Sequence, residues 1–488
     1  MALALLLDFG STFTKMTVVD TQGAALVARA VTPTTVEDIS IGLKAGLARL
    51  REAGVRESDL RIRLACSSAA GGLRMIAIGL VPELTAEAAR RAALGAGARV
   101  IETFAFRLSD DDVARIGRLA PDILLLAGGT DGGNEDVLLA NARKLTAARL
   151  PAPVVVAGNA AVADDAARIL AEGGLDVRVT ENVMPELGVI NVEPARAAIR
   201  DVFLEKIVEA KGLRVAEEYI EGVLMPTPAA VLAATRLLAE GTGRVAGVGE
   251  AAVVDVGGAT TDVHSVTRGA PAEPGVTLKG LPEPAAKRTV EGDLGVRVSA
   301  AALVEALGAE TVAAAAAGAG AADWTPGEVR RMAEALSRNP ERLPQDPRER
   351  ALDVALARVA ARAAMIRHAG TLEERATPLG VRKFQVGKDL SALPVLIGTG
   401  GAIVHGGAAG YVLRACLAGA AGEDAASAEA AASGVLSGAD GGAGPRPLLP
   451  RSPRLLVDKD YILAACGLLA QRLPDVALTL LKERLQPV

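Results

Sequence analysis

Short apolar runs broken by tight turns open the chain. Leu3–Leu7 ends in Asp8–Phe9–Gly10–Ser11, Phe13–Val19 follows, and Ala25–Val31 comes after the turn Asp20–Thr21–Gln22–Gly23. This pattern predicts a β-meander. Beyond Arg61 the rhythm changes. Apolar runs at Ile62–Ala65, Ile123–Ala127, Val154–Ala157 and Val177–Val179 alternate with helical stretches, of which Val137–Leu145 and Ala160–Glu172 are the clearest. Strand and helix in alternation predict a parallel sheet built by crossovers. Pro194–Lys211 reads as a helix with proline at its first position. A second meander then begins: Ala252–Val256 runs into Gly257–Gly258, and Asp262–Thr267 follows. The opening pattern thus recurs near mid-chain, which predicts two related lobes. Leu303–Ala322 is alanine-rich, Arg330–His368 has charged helical periodicity, and Leu417–Gly444 is a low-complexity Ala/Gly/Ser stretch that reads as a helix plus a mobile loop.

Composition narrows the function classes. The 488 residues correspond to roughly three ordinary domains or two large ones. Half are hydrophobic but only 2% aromatic. The core must therefore be built by close packing of Ala, Val and Leu, and little remains for base-stacking platforms. A net charge of −5 argues against a dominant nucleic-acid role, which requires a basic surface. Cys66, Cys416 and Cys466 lie far apart without a C-x-x-C, and His264, His368 and His405 are scattered. That excludes a Cys- or His-rich metal site and a disulfide framework, and fits a reducing cytoplasm. No apolar run reaches the roughly 18–20 residues of a membrane span, and Met1–Leu7 lacks the basic flank of a signal peptide.

Three glycine turns carry candidate chemistry. In Asp8–Phe9–Gly10–Ser11–Thr12–Phe13–Thr14–Lys15 a strand delivers a carboxylate to its end. Gly10 lets the backbone come close to a ligand, Ser11 and Thr12 offer hydroxyls to phosphate oxygens, and Lys15 supplies a point charge. Asp255–Val256–Gly257–Gly258–Ala259–Thr260–Thr261–Asp262 repeats that logic. In Pro394–Val395–Leu396–Ile397–Gly398–Thr399–Gly400–Gly401–Ala402 a buried strand runs into a turn that a flat base and ribose can approach. Each alone also fits an ordinary turn; two Asp–Gly turns, each opening a meander, are harder to produce by chance.

In this order the three turns resemble the actin-like ATPase superfamily: the first and second phosphate loops and the adenosine loop. Asn191–Ile199 is similar to the first connecting helix of the 70-kilodalton chaperones and Asp460–Gly467 to the second. The connecting-helix glutamate is then Glu193, with Glu181 as the alternative. The resemblance implies an α/β actin-like fold with two RNase H-like lobes, a central nucleotide cleft and helical insertions. Residues 1–245 would form the first lobe, 246–450 the second with a helical insertion at about 300–370, and 451–488 a return to the first. Three further motifs narrow it: Gly128–Gly129–Thr130–Asp131–Gly132–Gly133–Asn134–Glu135–Asp136, Asn182–Val183–Met184–Pro185–Glu186–Leu187–Gly188, and Glu291–Gly292–Asp293–Leu294–Gly295–Val296. With these the chain resembles the glutamate mutase accessory protein family of MutL type, which is associated with adenosylcobalamin-dependent carbon-skeleton mutases. Without ligands, Gly128–Asp136 also reads as a tight turn before a helix N-cap, and Glu291 as either a ribose contact or a solvated carboxylate.

The resemblance implies a slow Mg²⁺-dependent ATPase that acts as a reactivating chaperone on mutase subunits in the cytoplasm. Asp8 and Asp255 would hold Mg²⁺ through its waters, and Glu193 would position the attacking water. Gly10, Ser11, Thr12, Lys15, Gly257, Gly258, Thr260 and Thr261 would hold phosphates, and Gly398, Gly400 and Gly401 the adenosine. The D-x-H-x-x-G pattern of cobalamin-binding domains is absent. A small-molecule kinase, with Asp255 or Asp262 as general base, is the alternative; an actin-type filament is a third. A homodimer is compatible with the sequence.

Overall fold

The computed structural model describes residues 2–10, 13–34, 39–68, 73–96, 98–210, 219, 221, 223–281, 283–321, 323–377, 380–420 and 445–488. The chain forms two compact units. One comprises Leu5–Met16 and Ala28–Ala229, the other Met1–Ala4, Thr17–Val27 and Ala230–Val488.

The opening meander is β1 (Leu3–Phe9), β2 (Phe13–Asp20) and β3 (Ala25–Pro33). Helix α1 (Ile39–Glu52) follows, then β4 (Leu60–Ser67). An inserted layer comes next: β5 (Leu73–Gly79), α2 (Glu87–Gly95), β6 (Ala98–Ala105), α3 (Asp110–Leu119), β7 (Ile123–Leu126), α4 (Asp136–Ala148), β8 (Val154–Val156), α5 (Ala163–Glu172), β9 (Val177–Val179) and α6 (Glu193–Ala210). Only then does β10 (Val223–Pro226) return beside β4, parallel to it, and lead into α7 (Thr227–Glu240). The first sheet is ordered β10-β4-β1-β2-β3. The inserted strands form a separate sheet, β6-β5-β7-β8-β9, parallel throughout. Its strands β7 and β8 are fully buried, so they read as continuous apolar runs such as Ile123–Leu126.

In the other unit β11 (Ala251–Val256), β12 (Thr261–Val266), β13 (Val276–Lys279) and β14 (Ala286–Glu291) precede a helical segment. That segment is α8 (Ala300–Leu307), α9 (Ala309–Gly318), α10 (Pro326–Arg338) and α11 (Pro347–His368). The chain continues as β15 (Thr371–Thr377), β16 (Gly380–Val386), β17 (Val395–Thr399), α12 (Gly401–His405), α13 (Ala409–Arg414), β18 (Arg446–Pro447), β19 (Arg454–Val457), α14 (Ile462–Leu469), α15 (Pro474–Arg484) and β20 (Gln486–Pro487). The main sheet is β14-β12-β11-β17-β19-β20, and β13-β16-β15-β18 form a smaller one. Strand β11 is antiparallel to β12 and parallel to β17, and β17 is parallel to β19.

Ranked along the chain, both main sheets carry the order third, second, first, fourth, fifth, to which the second sheet adds β20 as a sixth strand. This duplicated α/β arrangement is the actin-like fold that the motifs imply. Alanine has a structural use here. Helix α11 is buried on nearly every side, and its Ala355, Ala357, Ala360, Ala361, Ala363 and Ala364 are fully covered. Their short side chains let the helix lie close to β11, β12 and β14, whose Val254 and Val263 share its core. Arg358 and Arg362 leave this helix to donate to Tyr411 O, and to Ala415 O and Leu417 O, which satisfies carbonyls at the end of α13. Among the described residues no single helix is long and apolar enough to cross a membrane.

Two expectations shift. The helix that runs from one unit into the other is α7, because the division falls between Ala229 and Ala230, whereas α6 lies wholly within one unit. Residues 451–488 belong with Ala230–Val488: β19 extends the sheet beside β17, and α14 packs on α7, where a Cβ on Gly467 would run into Ala230 O. The low-complexity stretch lies outside the described residues from 421 to 444.

Helix α11 ends at His368, whose ring lies between Thr289 Oγ1 (2.8 Å) and Ser265 Oγ (2.7 Å). Burial first, then the nearby cations Lys287 and Lys388, pushes its pKa well below the ordinary value; burial and then Arg288 do the same to His264. A histidine whose folded pKa is depressed binds its proton more readily when unfolded. Its contribution is therefore complete above about pH 6.5 and lost as pH falls below it, at about 1.4 kcal/mol per pH unit for each. Urea midpoints should fall between pH 7 and pH 5.5, and H368Q, whose amide can keep both hydrogen bonds, should flatten that slope. A second expectation concerns packing. Gly467→Val should lower stability by about 1–3 kcal/mol through overpacking against α7, measured by denaturant unfolding.

Candidate functional site

Each main sheet delivers an aspartate as the next-to-last residue of its first strand: Asp8 in β1 and Asp255 in β11. The turns that follow are built alike. Gly10 N–H donates to Phe13 O (3.1 Å), and Gly257 N–H donates to Thr260 O (2.9 Å). In both, a side chain on the glycine would meet that same carbonyl, at 2.5 Å and 2.8 Å. Glycine is needed because the backbone closes on itself there. Ser11 and Thr12 lie outside the described residues.

Asp8 is buried and held on both carboxylate oxygens. Lys15 Nζ donates to Oδ2 at 3.4 Å, and Thr227 Oγ1 donates to Oδ1 at 2.6 Å. Cys66 Sγ stands 3.7 Å from the same Oδ1 and from Thr227 Oγ1. Burial, then the Asp8 charge, pushes the Cys66 thiol well above its usual value, so it stays protonated and acts as a neutral donor. Lys15 therefore neighbours the predicted carboxylate. Thr227 and Cys66 complete a cluster that sequence reasoning missed.

Glu193 is placed elsewhere. It opens α6 with its side chain 74% exposed and paired with Arg196 at 2.5 Å. Glu181, the alternative, is exposed and accepts from Asn191 Nδ2 at 2.9 Å. The residue that reaches Asp8 from the start of a helix is Thr227. A signal for it existed: Thr227–Pro228–Ala229–Ala230 has the same Xaa-Pro-Ala opening as Glu193–Pro194–Ala195, and it follows a strand, β10, of the first sheet.

In the other unit the second and third turns adjoin. Strands β11 and β17 run in parallel, with Asp255 opposite Thr399. Gly400 has φ +98°, and a side chain there would strike Val256 O. Gly398 is buried against Leu413 and Ile403, and Gly401 opens α12, exposed. The Glu291–Val296 motif braces the Asp255 turn. Val296 N–H donates to Gly257 O (3.1 Å), Arg297 N–H to Gly258 O (2.8 Å), and Thr261 Oγ1 to Leu294 O (2.7 Å). Glu291 is not a solvated carboxylate. Burial raises its pKa, and Arg367 holds it at 2.8 Å together with Asp293. Thr260 Oγ1 donates to Asp262 (3.0 Å), and Asp262 is locked to buried Arg288 at 2.6 Å. Asp458, at the end of β19, accepts from Ile462 N–H (2.9 Å) and Leu463 N–H (3.2 Å) and so caps α14.

The donor set suits Mg²⁺ with phosphate. It consists of carboxylates, glycine backbone and one lysine at Asp8, without a cluster of three His, Cys, Asp or Glu side chains among the described residues. Mg²⁺ keeps most of its waters and needs few protein ligands.

Comparison with known proteins gives the family. The description "MutL protein" matches residues 4–485. The chain is similar to Protein MutL of Clostridium tetanomorphum, 48% identical over 486 residues that cover 99% of each chain. Among solved structures, a ROK hexokinase from Thermus thermophilus aligns with 99% of this chain and 98% of its own at 16% identity and a TM-score of 0.28. The (R)-2-hydroxyglutaryl-CoA dehydratase component A of Acidaminococcus fermentans aligns with 41% of this chain and 97% of its own at 14% identity and a TM-score of 0.13. By its full-length sequence match the chain belongs to the MutL family, the glutamate mutase accessory proteins.

Proposed function

We propose that this protein is an ATP-dependent, chaperone-like accessory factor that reactivates an adenosylcobalamin-dependent carbon-skeleton mutase of the glutamate mutase kind. The observation that carries the ATP reading is the pair of equivalent Asp-x-Gly turns, each closed by the same glycine hydrogen bond on a sheet of the same order. Family membership carries the mutase reading.

In this reading the N–H groups and hydroxyls of Gly10–Thr12 and Gly257–Thr261 bind phosphate oxygens, and Gly398–Gly401 accommodates the adenosine. Asp8 and Asp255, one in each unit, are the candidate residues that would hold Mg²⁺ through its waters, and the ion would supply charge neutralisation on the phosphates. Lys15 adds a positive charge. Thr227 Oγ1 fixes the Asp8 carboxylate, whereas Glu193, expected to position the attacking water, is paired with Arg196. Water attacks the γ-phosphorus, the bond to the bridging oxygen breaks, and ADP and phosphate leave; such transfer depends mostly on positioning and electrostatics. Hydrolysis does work on the mutase only if the mutase binds the ATP and ADP states unequally. The three cysteines are buried thiols, which suits a reducing cytoplasm. A small-molecule kinase is the second reading. One of its two candidate bases, Asp262, is already neutralised by Arg288, which disfavours it.

Purified protein should hydrolyse ATP slowly with Mg²⁺, faster with the mutase, and Asp8→Ala should lose both activities. ATP turnover that responds to a sugar or carboxylate instead of a mutase would favour the kinase. A hydrogen bond to a charged group is worth about 1.5–3 kcal/mol, so Thr227→Val should lower kcat by about 10–100-fold with little change in KM, and Thr227→Ser should restore it. Glu193→Ala should leave turnover unchanged; a comparable loss there would return the positioning role to α6.

A further inference from the structure

Aromatic rings are scarce in this chain: three Tyr, six Phe and one Trp. Phe9, Phe104, Phe203 and Trp324 are buried in the core. Tyr411 lies under the Arg358 guanidinium, and its hydroxyl donates to Ala315 O (2.9 Å). Tyr461 is placed differently. It stands half-buried in the turn between β19 and α14, beside the glycine turn that follows β17. Both turns belong to the unit that contains Ala230–Val488.

The Tyr461 backbone is left-handed, with φ +50° and ψ +41°. A bulky residue adopts that conformation at a cost, and glycine or asparagine enters it more readily. The start of α14 does not require a tyrosine. Tyr461 makes no side-chain cap; the Asp458 carboxylate caps the helix instead, accepting from Ile462 N–H and Leu463 N–H. The strained residue is pinned on both sides of its own side chain. Its N–H donates to Asp458 O (3.3 Å). Asp460, just before it, is gripped by Arg484 of α15 at 2.6 Å and 2.8 Å. Backbone strain that the surrounding bonds impose on one residue is concentrated at ligand-holding positions.

The position of the ring points to the ligand. A Cβ on Gly401 would lie 3.7 Å from the Tyr461 hydroxyl. The Tyr461 ring centroid is 5.7 Å from that of His405, with the rings tilted by 41°, a favourable arrangement for an aromatic pair. Gly401 and His405 are one turn apart on α12 and share a face. Tyr461 spans that face from one to the other, and both Gly401 and His405 are exposed. Thr399 Oγ1 donates to the same Asp458 carboxylate (3.4 Å). The glycine turn and the tyrosine therefore hang on one anchor. The turn offers bare backbone that a flat group can approach, and the ring offers a π-face beside it.

We propose that Tyr461 is the contact residue for the nucleotide base, which stacks on its ring beside Gly401. The inference rests on the ATP reading above and on the placement of adenosine at Gly398–Gly401. Stacking on an aromatic ring contributes substantially to affinity and accepts any base, because every base has a π-face. The strain at Tyr461 is then kept for the ligand and not for the fold.

The test uses the full chain. It measures steady-state ATP hydrolysis with Mg²⁺, and inhibition by tripolyphosphate, which has the phosphates and no base. Tyr461→Asn suits the left-handed backbone and should raise KM for ATP about tenfold or more. The loss should fall on KM and not on kcat, because stacking acts on the ground and transition states alike. The Ki of tripolyphosphate should stay within about twofold of wild type. Tyr461→Phe keeps the ring and should keep the wild-type KM. Three results would overturn this inference and leave the ATP reading standing. One is wild-type hydrolysis with KM within about twofold in folded Tyr461→Asn. The second is an equal loss of tripolyphosphate, and the third a loss in Tyr461→Phe as large as in Tyr461→Asn. If wild type neither binds nor hydrolyses ATP, both are overturned. Should Tyr461→Asn fail to fold, photolabelling of the wild type with 8-azido-ATP decides. Label on the peptide containing Tyr461 supports the inference, and label confined elsewhere overturns it.

Discussion

A glycine N–H bonded to the carbonyl three residues ahead is the constraint on which both candidate phosphate turns depend. It closes Gly10 on Phe13 and Gly257 on Thr260, and it leaves no room for a Cβ. With that bond in place, the first strand of each sheet must end just beyond its aspartate and the second must begin at once. The repeated sheet order then sets what stands beside each turn. In one unit that is β17 with Gly400; in the other it is β4 and β10, with Cys66 and Thr227.

These neighbours are fixed by different means. Around Asp8 the partners are neutral or singly charged: a hydroxyl, a thiol kept protonated by burial, and one lysine. Around the Asp255 turn, charge is neutralised in pairs set back from the turn: Asp262 with Arg288, Asp353 with Arg297, and Glu291 and Asp293 with Arg367. Burial raises the pKa of Asp353 and Glu291, and the arginines oppose that rise. A buried pair is costly to break from one side, because the remaining charge is stranded. The pairs brace the turn without occupying it.

Much of this was legible from residues alone. The Asp-x-Gly turns and the β17 glycines are local signals, in which strand, turn and following strand are contiguous. The connecting helix was not. Glu193–Pro194–Ala195 and Thr227–Pro228–Ala229 are equally good helix starts, and only the pairing of β10 with β4, residues far apart in sequence, tells which helix follows the first sheet. Strand β10 is four residues ending in proline, too short to stand out. The inserted strands Leu73–Gly79 and Ala98–Ala105 were also missed; Arg74, Arg99 and Glu102 interrupt their apolar runs. Thr227 and Cys66 carry no motif of their own, and only their convergence on Asp8 gives them a role.

The placement of β10 has a consequence for how the molecule is made. Its partner β4 ends at Ser67, and β10 begins at Val223. On a ribosome adding about 5–20 residues per second, that gap lasts on the order of 10–30 s. Throughout it β4 has an open edge, the kind of edge that invites pairing with another chain. The inserted sheet pairs only within itself, so it can fold during the wait. Completion of the first sheet, and with it the arrival of Thr227 at Asp8, is therefore a late event in biogenesis.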